Sequence, residues 1–121
     1  MTADLQGVRV LVIEDEGSVA LMIEDMLEEL GCEIVASVAR LADAHKIAAT
    51  TEADLAVLDV NLEGQPVFPV AKILRQRRIP FVFSTGYGAG GLPGEFTGCP
   101  VLGKPYSMED LQQTITSALR S

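Results

Sequence analysis

Positive charge is scarce in this sequence. Nine Lys and Arg stand against seventeen Asp and Glu, giving a formal net charge of −8 over 121 residues. Nucleic-acid phosphates are bound by basic patches, so this balance argues against nucleic acid as a direct partner. The only basic cluster, Arg75, Arg77 and Arg78, falls where a helix should end, and there it suits the negative end of a macrodipole. Cysteine is sparse too. Cys32 and Cys99 lie far apart and form no C-x-x-C, so they offer no metal-ligand spacing and fit a reducing compartment as small, partly buried residues. No apolar run approaches the roughly 20 residues of a membrane span, and the opening MTADLQG lacks the basic-then-apolar pattern of a signal peptide. The expected address is therefore the cytoplasm, with no membrane partner. Linkers, repeats and low-complexity tracts are also missing, so residues 1–121 read as one domain. With 48% apolar and 21% charged residues, that domain is globular and large enough to bury a single core.

What is present is an alternation. Residues 8–14, VRVLVIE, are β-branched and nearly continuously apolar, as in a strand buried on both faces. Over residues 17–30, Val19, Met22, Ile23, Met26, Leu27 and Leu30 recur at helical spacing, and Gly31 ends the run. A second strand reads over 33–38. A second helix reads over 41–49, with Leu41, Ala44, Ile47 and Ala48 on one face. Residues 54–58 form a third strand running into Asp59. Val67, Val70, Ala71 and Leu74 mark a helix ending near Arg78, and residues 80–84 and 100–102 read as the fourth and fifth strands. Ser107 with Asp110 three residues on is close to a capping box for a last helix, which turns Leu111, Ile115, Ala118 and Leu119 to the core. This strict alternation predicts an α/β fold: a doubly wound, five-stranded parallel sheet with helices on both faces. Between the fourth and fifth strands, where a helix is due, stand glycines and prolines, so that helix is weak or absent.

In such sheets, sites lie beyond the carboxyl ends of the strands, where the strand order reverses. The first strand ends in Glu14-Asp15-Glu16, the third in Asp59 and the fourth in Ser84-Thr85, and the fifth leads to Lys104. Taken singly, each has a plain reading. Asp15 or Glu16 can cap the following helix, Asp59 can begin a turn, Thr85 can end a strand, and Lys104 can be a solvated loop residue. Together they put carboxylates, a hydroxyl and an ammonium on one rim. Neighbouring carboxylates repel, and their charged forms need a cation. Oxygen-only ligands select a hard ion such as magnesium. The hydroxyl and the ammonium add the means to hydrogen-bond and neutralise a phosphoryl group. A carboxylate can itself be the nucleophile that takes up phosphate. Asp59 is the best candidate, alone at the end of the central strand, with Glu14 and Asp15 holding the metal beside it.

Four pieces in this order and spacing, V-I-Glu14-Asp15-Glu16, L-Asp59-V-Asn61, S-Thr85-Gly86 and Lys104-Pro105, resemble the receiver domain of two-component response regulators over the whole chain. The resemblance implies the flavodoxin-like strand order 2-1-3-4-5 and a role for each position. Asp59 would accept the phosphoryl group. Asp15 and Asp59 would bind Mg2+ through their carboxylates, Glu14 mostly through water, and Asn61 through its backbone carbonyl. Thr85 would hydrogen-bond the phosphoryl oxygens, Lys104 would pair with them, and Lys104–Pro105 would be a cis peptide. The donor would be a histidine kinase or a histidine phosphotransfer protein. Phe83-Ser84-Thr85-Gly86-Tyr87-Gly88 resembles a subgroup with a Phe-Ala-Thr-Gly-type motif, common in alphaproteobacteria, with Ser84 in place of the usual alanine.

Two departures from the family pattern stand out. The first is the weak fourth helix. The second is Val101, which occupies the position of the usual aromatic switch residue. Tyr87 and Tyr106 flank the site and either substitute for that residue or simply pack. Residues 86–99 are expected to be irregular and mobile before activation, since Pro93 interrupts any helix and Leu92 and Phe96 are too few to bury a helical face. Gly86-Tyr87-Gly88-Ala89-Gly90-Gly91 fits G-x-G-x-x-G, but no helix start and no suitably spaced acid follow it, so the match is accidental.

Three functions follow as expectations. The first is a stand-alone phosphoacceptor, as no effector segment follows Ser121, signalling to an unidentified downstream protein or acting as a phosphate sink. The second is a receiver that is a satellite or fragment of a hybrid histidine kinase. The third is a magnesium-dependent phosphatase of the haloacid dehalogenase type, disfavoured because that chemistry needs a D-x-D pair and Asn61 stands where the second acid belongs. The chain is therefore not expected to be an enzyme acting on a separate substrate.

Overall fold

The computed structural model describes residues 5–86 and 92–120. Among these residues, seven strands and four α-helices follow one another as β1 (Arg9–Ile13), α1 (Gly17–Glu29), β2 (Glu33–Val38), α2 (Leu41–Thr50), β3 (Leu55–Asp59), β4 (Asn61–Leu62), β5 (Gln65–Pro66), α3 (Phe68–Gln76), β6 (Phe81–Thr85), β7 (Val101–Gly103) and α4 (Met108–Arg120). Five strands form one parallel sheet in the order β2-β1-β3-β6-β7. This is the expected order 2-1-3-4-5, with β6 and β7 as the fourth and fifth sheet strands. Expected element ends agree to within about two residues. β4 and β5 form a separate antiparallel hairpin that the sequence reading did not anticipate.

Strand alternation divides the core into two layers. Leu11 and Ile13 of β1, Ala56 and Leu58 of β3, and Phe81 and Phe83 of β6 turn toward α2 and α3, which supply Ala44, Ala48, Val70, Ala71 and Leu74. Val10, Val12, Leu55, Val57 and Val82 turn the other way, onto Ile23 and Leu27 of α1 and Leu111, Ile115 and Ala118 of α4. β3 is buried along its whole length because helices cover both faces of the centre.

Helix ends follow local chemistry. At the end of α1, Gly31 takes φ 96°, its N–H donates to the Glu28 carbonyl, and the Cys32 N–H donates to the Leu27 carbonyl, which is a Schellman stop. A Cβ at Gly31 would meet Gln6 Oε1 at 2.5 Å. α3 ends in the same pattern with Arg78 (φ 61°) in the glycine position, through Arg78 N–H to the Arg75 carbonyl and Ile79 N–H to the Leu74 carbonyl. The basic cluster therefore does more than face its own helix dipole. Arg77 reaches across to the end of α2, donating to the Ala48 and Thr51 carbonyls at 2.9 and 2.7 Å. At the start of α4, Ser107 and Asp110 exchange reciprocal bonds of 3.1 Å, completing the expected capping box.

Between β6 and β7 the described residues hold a 3-10 turn, Gly94–Phe96, and no α-helix. This part is irregular, as expected, yet it is anchored. Phe96 is fully buried, stacks on Phe68 at 5.5 Å and meets Phe81 and Phe83 edge-on. Tyr87 and Gly88 to Gly91 lie outside the described residues.

Candidate functional site

The strand order reverses between β1 and β3, and the polar residues collect at the carboxyl ends there. β1 runs into Glu14 and Asp15, β3 ends on Asp59, β6 ends on Thr85, and Lys104 follows β7. Asp15, Asp59, Asn61, Thr85 and Lys104 line one cleft of about 310 Å³, together with Val60, Glu63, Gly64 and Gly86. Glu14, Asp59 and Thr85 are buried, Asp15 and Lys104 half-buried, and Asn61 exposed. All six sequence-predicted residues thus meet at one rim, and Lys104–Pro105 is cis.

The contacts show why each carboxylate differs. Glu14 is occupied on both oxygens: Lys104 Nζ donates to Oε1 at 3.0 Å, and the Glu16 N–H donates to Oε2 at 3.1 Å. Lys104 Nζ also lies 3.6 Å from Asp59 Oδ2. The Asn61 N–H donates to Asp59 Oδ1 at 3.3 Å, so Asp59 does begin a turn as well as facing the cleft. Asp15 does not cap α1. Its Oδ2 accepts the Glu63 N–H at 2.8 Å. Glu16 holds the N-cap position without a side-chain capping bond. Glu63 and Gly64 were not anticipated. The only signal was Glu-Gly between Leu62 and Gln65, weaker than the Asn-Gly or Asp-Gly that marks a two-residue turn.

Electrostatics follow from this crowding. Burial pushes Asp59 up, the adjoining Glu14 carboxyl adds to the shift, and together they outweigh Lys104, raising Asp59 to about 7. Burial works against the Asp15 carboxylate as well, but the Glu63 N–H and the hydrogen bonds to Glu14 and Asp59 outweigh it and hold Asp15 below the usual range. Burial likewise opposes the Lys104 ammonium, yet Glu14 and Asp59 reverse this and raise it. One oxygen each from Glu14, Asp15 and Asp59 lie within 4.8 Å of one another. Three hard oxygen donors with excess negative charge fit a divalent cation such as magnesium.

Val101, at the switch position, and Tyr106 are separated by the sheet. Val101 packs with the Phe-rich layer, whereas Tyr106 packs with the opposite layer against α1 and α4. Tyr106 is therefore a packing aromatic in this structure. Its hydroxyl faces that of Ser84, and both are buried without completing a hydrogen bond.

A family model described as the response regulator receiver domain matches residues 10–116. The chain belongs to the response regulator receiver family. This receiver is similar to SdrG of Sphingomonas melonis Fr1, with 37% identity and a TM-score of 0.83, covering 99% of this chain and 100% of the other. It is also similar to the receiver domain of a sensor histidine kinase from Pseudomonas aeruginosa PAO1, solved with a magnesium ion in its active-site cleft. That match has 26% identity and a TM-score of 0.77, covering 95% and 99% of the two chains. Among curated proteins, the transcriptional regulatory protein PdtaR of Mycobacterium tuberculosis is 30% identical over 92% of this receiver and 56% of its own length. The receiver spans about half the length of the curated relatives it matches. Among the described residues, no helix is long and apolar enough to cross a membrane.

Proposed function

We propose that this receiver accepts a phosphoryl group on Asp59, in a magnesium-dependent transfer from a phosphohistidine of a histidine kinase or a histidine phosphotransfer protein. One observation carries the reading. Asp59 is a buried carboxylate at the end of the central strand, opening on a cleft with Lys104 Nζ 3.6 Å away and Thr85 on the next strand. A carboxylate so placed is a nucleophile with a cation already beside the charge it will acquire.

The step follows from that geometry. An Asp59 carboxylate oxygen attacks phosphorus, an O–P bond forms as the N–P bond breaks, and the imidazole nitrogen leaves with the electron pair. Lys104, now held by Glu14 and Asp59, is positioned to pair with a phosphoryl oxygen. Thr85 supplies the hydroxyl on the neighbouring strand. Asp15 and Asp59 would ligate magnesium directly, and the Asn61 carbonyl would complete the protein's share. Glu14, with both oxygens engaged, would act through water. Bound magnesium supplies charge neutralisation at the phosphoryl oxygens. The product is a phosphorylated protein in the cytoplasm that signals by contact with another protein or stores phosphate. It is not an enzyme with a separate substrate, and Asn61 leaves the site without the general acid of a phosphatase.

The test is phosphotransfer followed by mass spectrometry, together with beryllofluoride binding. Wild type should be labelled at Asp59 and bind beryllofluoride only with magnesium, and Asp59→Asn should do neither. Undiminished labelling of Asp59→Asn would overturn the assignment. Sustained turnover of a small phosphate ester would favour the phosphatase instead.

A further inference from the structure

The connection between β3 and α3 holds a device that the phosphoacceptor reading does not require. Asn61 pairs with Pro66 and Leu62 with Gln65, so only Glu63 and Gly64 join β4 to β5. Their φ angles are 50° and 86°, both left-handed, as a type I′ turn demands. Glycine and asparagine enter that region easily. A glutamate there is strained and persists only where its surroundings fix it.

The surroundings fix it at both ends. Leu62 and Val67 are buried in the core, and the Val67 N–H donates to the Val60 carbonyl at 2.9 Å, closing the base of the hairpin. At the tip, the Glu63 N–H donates to Asp15 Oδ2 at 2.8 Å, across 48 residues of sequence. The Asn61 N–H, two residues earlier, donates to Asp59 Oδ1. Backbone N–H groups at i and i+2 of a strand point to the same side. β4, through Asn61, and the turn that follows it, through Glu63, therefore each address one carboxylate.

We infer that the β4–β5 hairpin positions the metal site: the backbone N–H of Glu63, aimed by the left-handed turn, holds Asp15 by Oδ2 and so fixes the carboxylate beside Glu14 and Asp59, where the cation would bind. This rests on the phosphoacceptor reading. A ligand whose orientation is already fixed loses less freedom on binding, and partners of this kind typically change metal affinity 10–100-fold. Glu63 is a positioning residue through its amide. Its carboxylate, exposed at the cleft mouth, contributes only a screened attraction.

An amide-to-ester exchange at Glu63 removes the N–H and keeps the side chain. It should weaken magnesium binding about tenfold or more in an NMR or calorimetric titration. Glu63→Gly and Glu63→Gln keep the N–H and should stay within about threefold of wild type. Wild-type affinity in the ester variant would overturn the inference. So would a Glu63→Gln loss as large as the ester's, which would move the role to the carboxylate. If the ester variant does not fold, hydrogen exchange decides: a protected Glu63 amide in wild type supports the inference, and exchange at the free-chain rate overturns it. Failure of the underlying reading looks different, since wild type would then show no magnesium-dependent beryllofluoride binding at all.

Discussion

Two connections leave the same edge of the sheet and are secured in opposite ways. The β3–α3 connection is held by backbone groups: a two-residue turn, a closing N–H to carbonyl bond, and N–H groups aimed at Asp59 and Asp15. The described part of the β6–β7 connection is held by side chains. Phe96 fills the aromatic cluster, the Arg75 guanidinium lies 4.5 Å over its ring and donates to the Glu95 carbonyl at 2.8 Å, and Lys72 pairs with Glu95 at 3.4 Å. A metal site needs fixed dipoles, which backbone supplies at little entropic cost. A segment standing where a helix would pack needs only enough buried apolar surface to stay down, and one aromatic provides most of it.

The comparison is broken most directly at Phe96. Phe96→Ala removes a fully buried ring and should cost about 3–4 kcal/mol in urea denaturation, with magnesium affinity unchanged. A parallel loss of magnesium affinity would show that the two connections are coupled. The next effect concerns the metal-free site. Burial and the adjoining Glu14 carboxyl raise Asp59 from the ordinary 3.8 to about 7 in the folded protein, so between these values the folded state binds the extra proton. The stability linked to this group is therefore fully present below that window and is lost as pH rises through it. Asp59→Asn should melt above wild type at pH 8, with the gap closing toward pH 4 and narrowing when magnesium is added. A gap independent of pH would refute the shift.

Smaller effects sharpen the contrast. Arg75→Ala should cost about 1 kcal/mol through the lost ring and carbonyl contacts, again without touching magnesium binding. Gly64→Ala should also cost about 1 kcal/mol, because φ is 86° and nothing else crowds the position, but here magnesium affinity should fall as well. Equal effects of these two variants on the metal would erase the distinction. Least of all, Arg78→Gly should raise stability by about 0.5–1 kcal/mol, by relieving a left-handed arginine at the end of α3.

Much of this was legible before folding. Long elements such as α1 and β3 announce themselves by periodicity, and Ser107 with Asp110 marks a helix start within four residues. β4 and β5 escaped notice because two residues cannot display a period and Glu-Gly is a weak turn signal. Arg78 escaped because an arginine in a glycine position looks like surface charge. Phe96 was seen as one apolar residue of too few, which is sound for a helical face and wrong for a single deep anchor. At the site, residue types and their order along the chain pointed to Glu14, Asp15, Asp59, Thr85 and Lys104, and the family resemblance added Asn61, but neither pointed to Glu63, whose contribution is an amide that every non-proline residue carries.

The sequence by itself determined the alternation of strands and helices, the parallel sheet, and the set of acids, hydroxyl and ammonium at the strand ends. These depend on local spacing, which the chain displays directly. Only the tertiary structure decided which carboxylate meets which donor. Lys104 reaches Glu14 across 90 residues and the Glu63 amide reaches Asp15 across 48. Phe96 lies in the aromatic layer with Val101, while Tyr106 lies in the other. Those pairings follow from where right-handed crossovers bring the strand ends and from which face each residue then takes, and no local pattern in the chain encodes them.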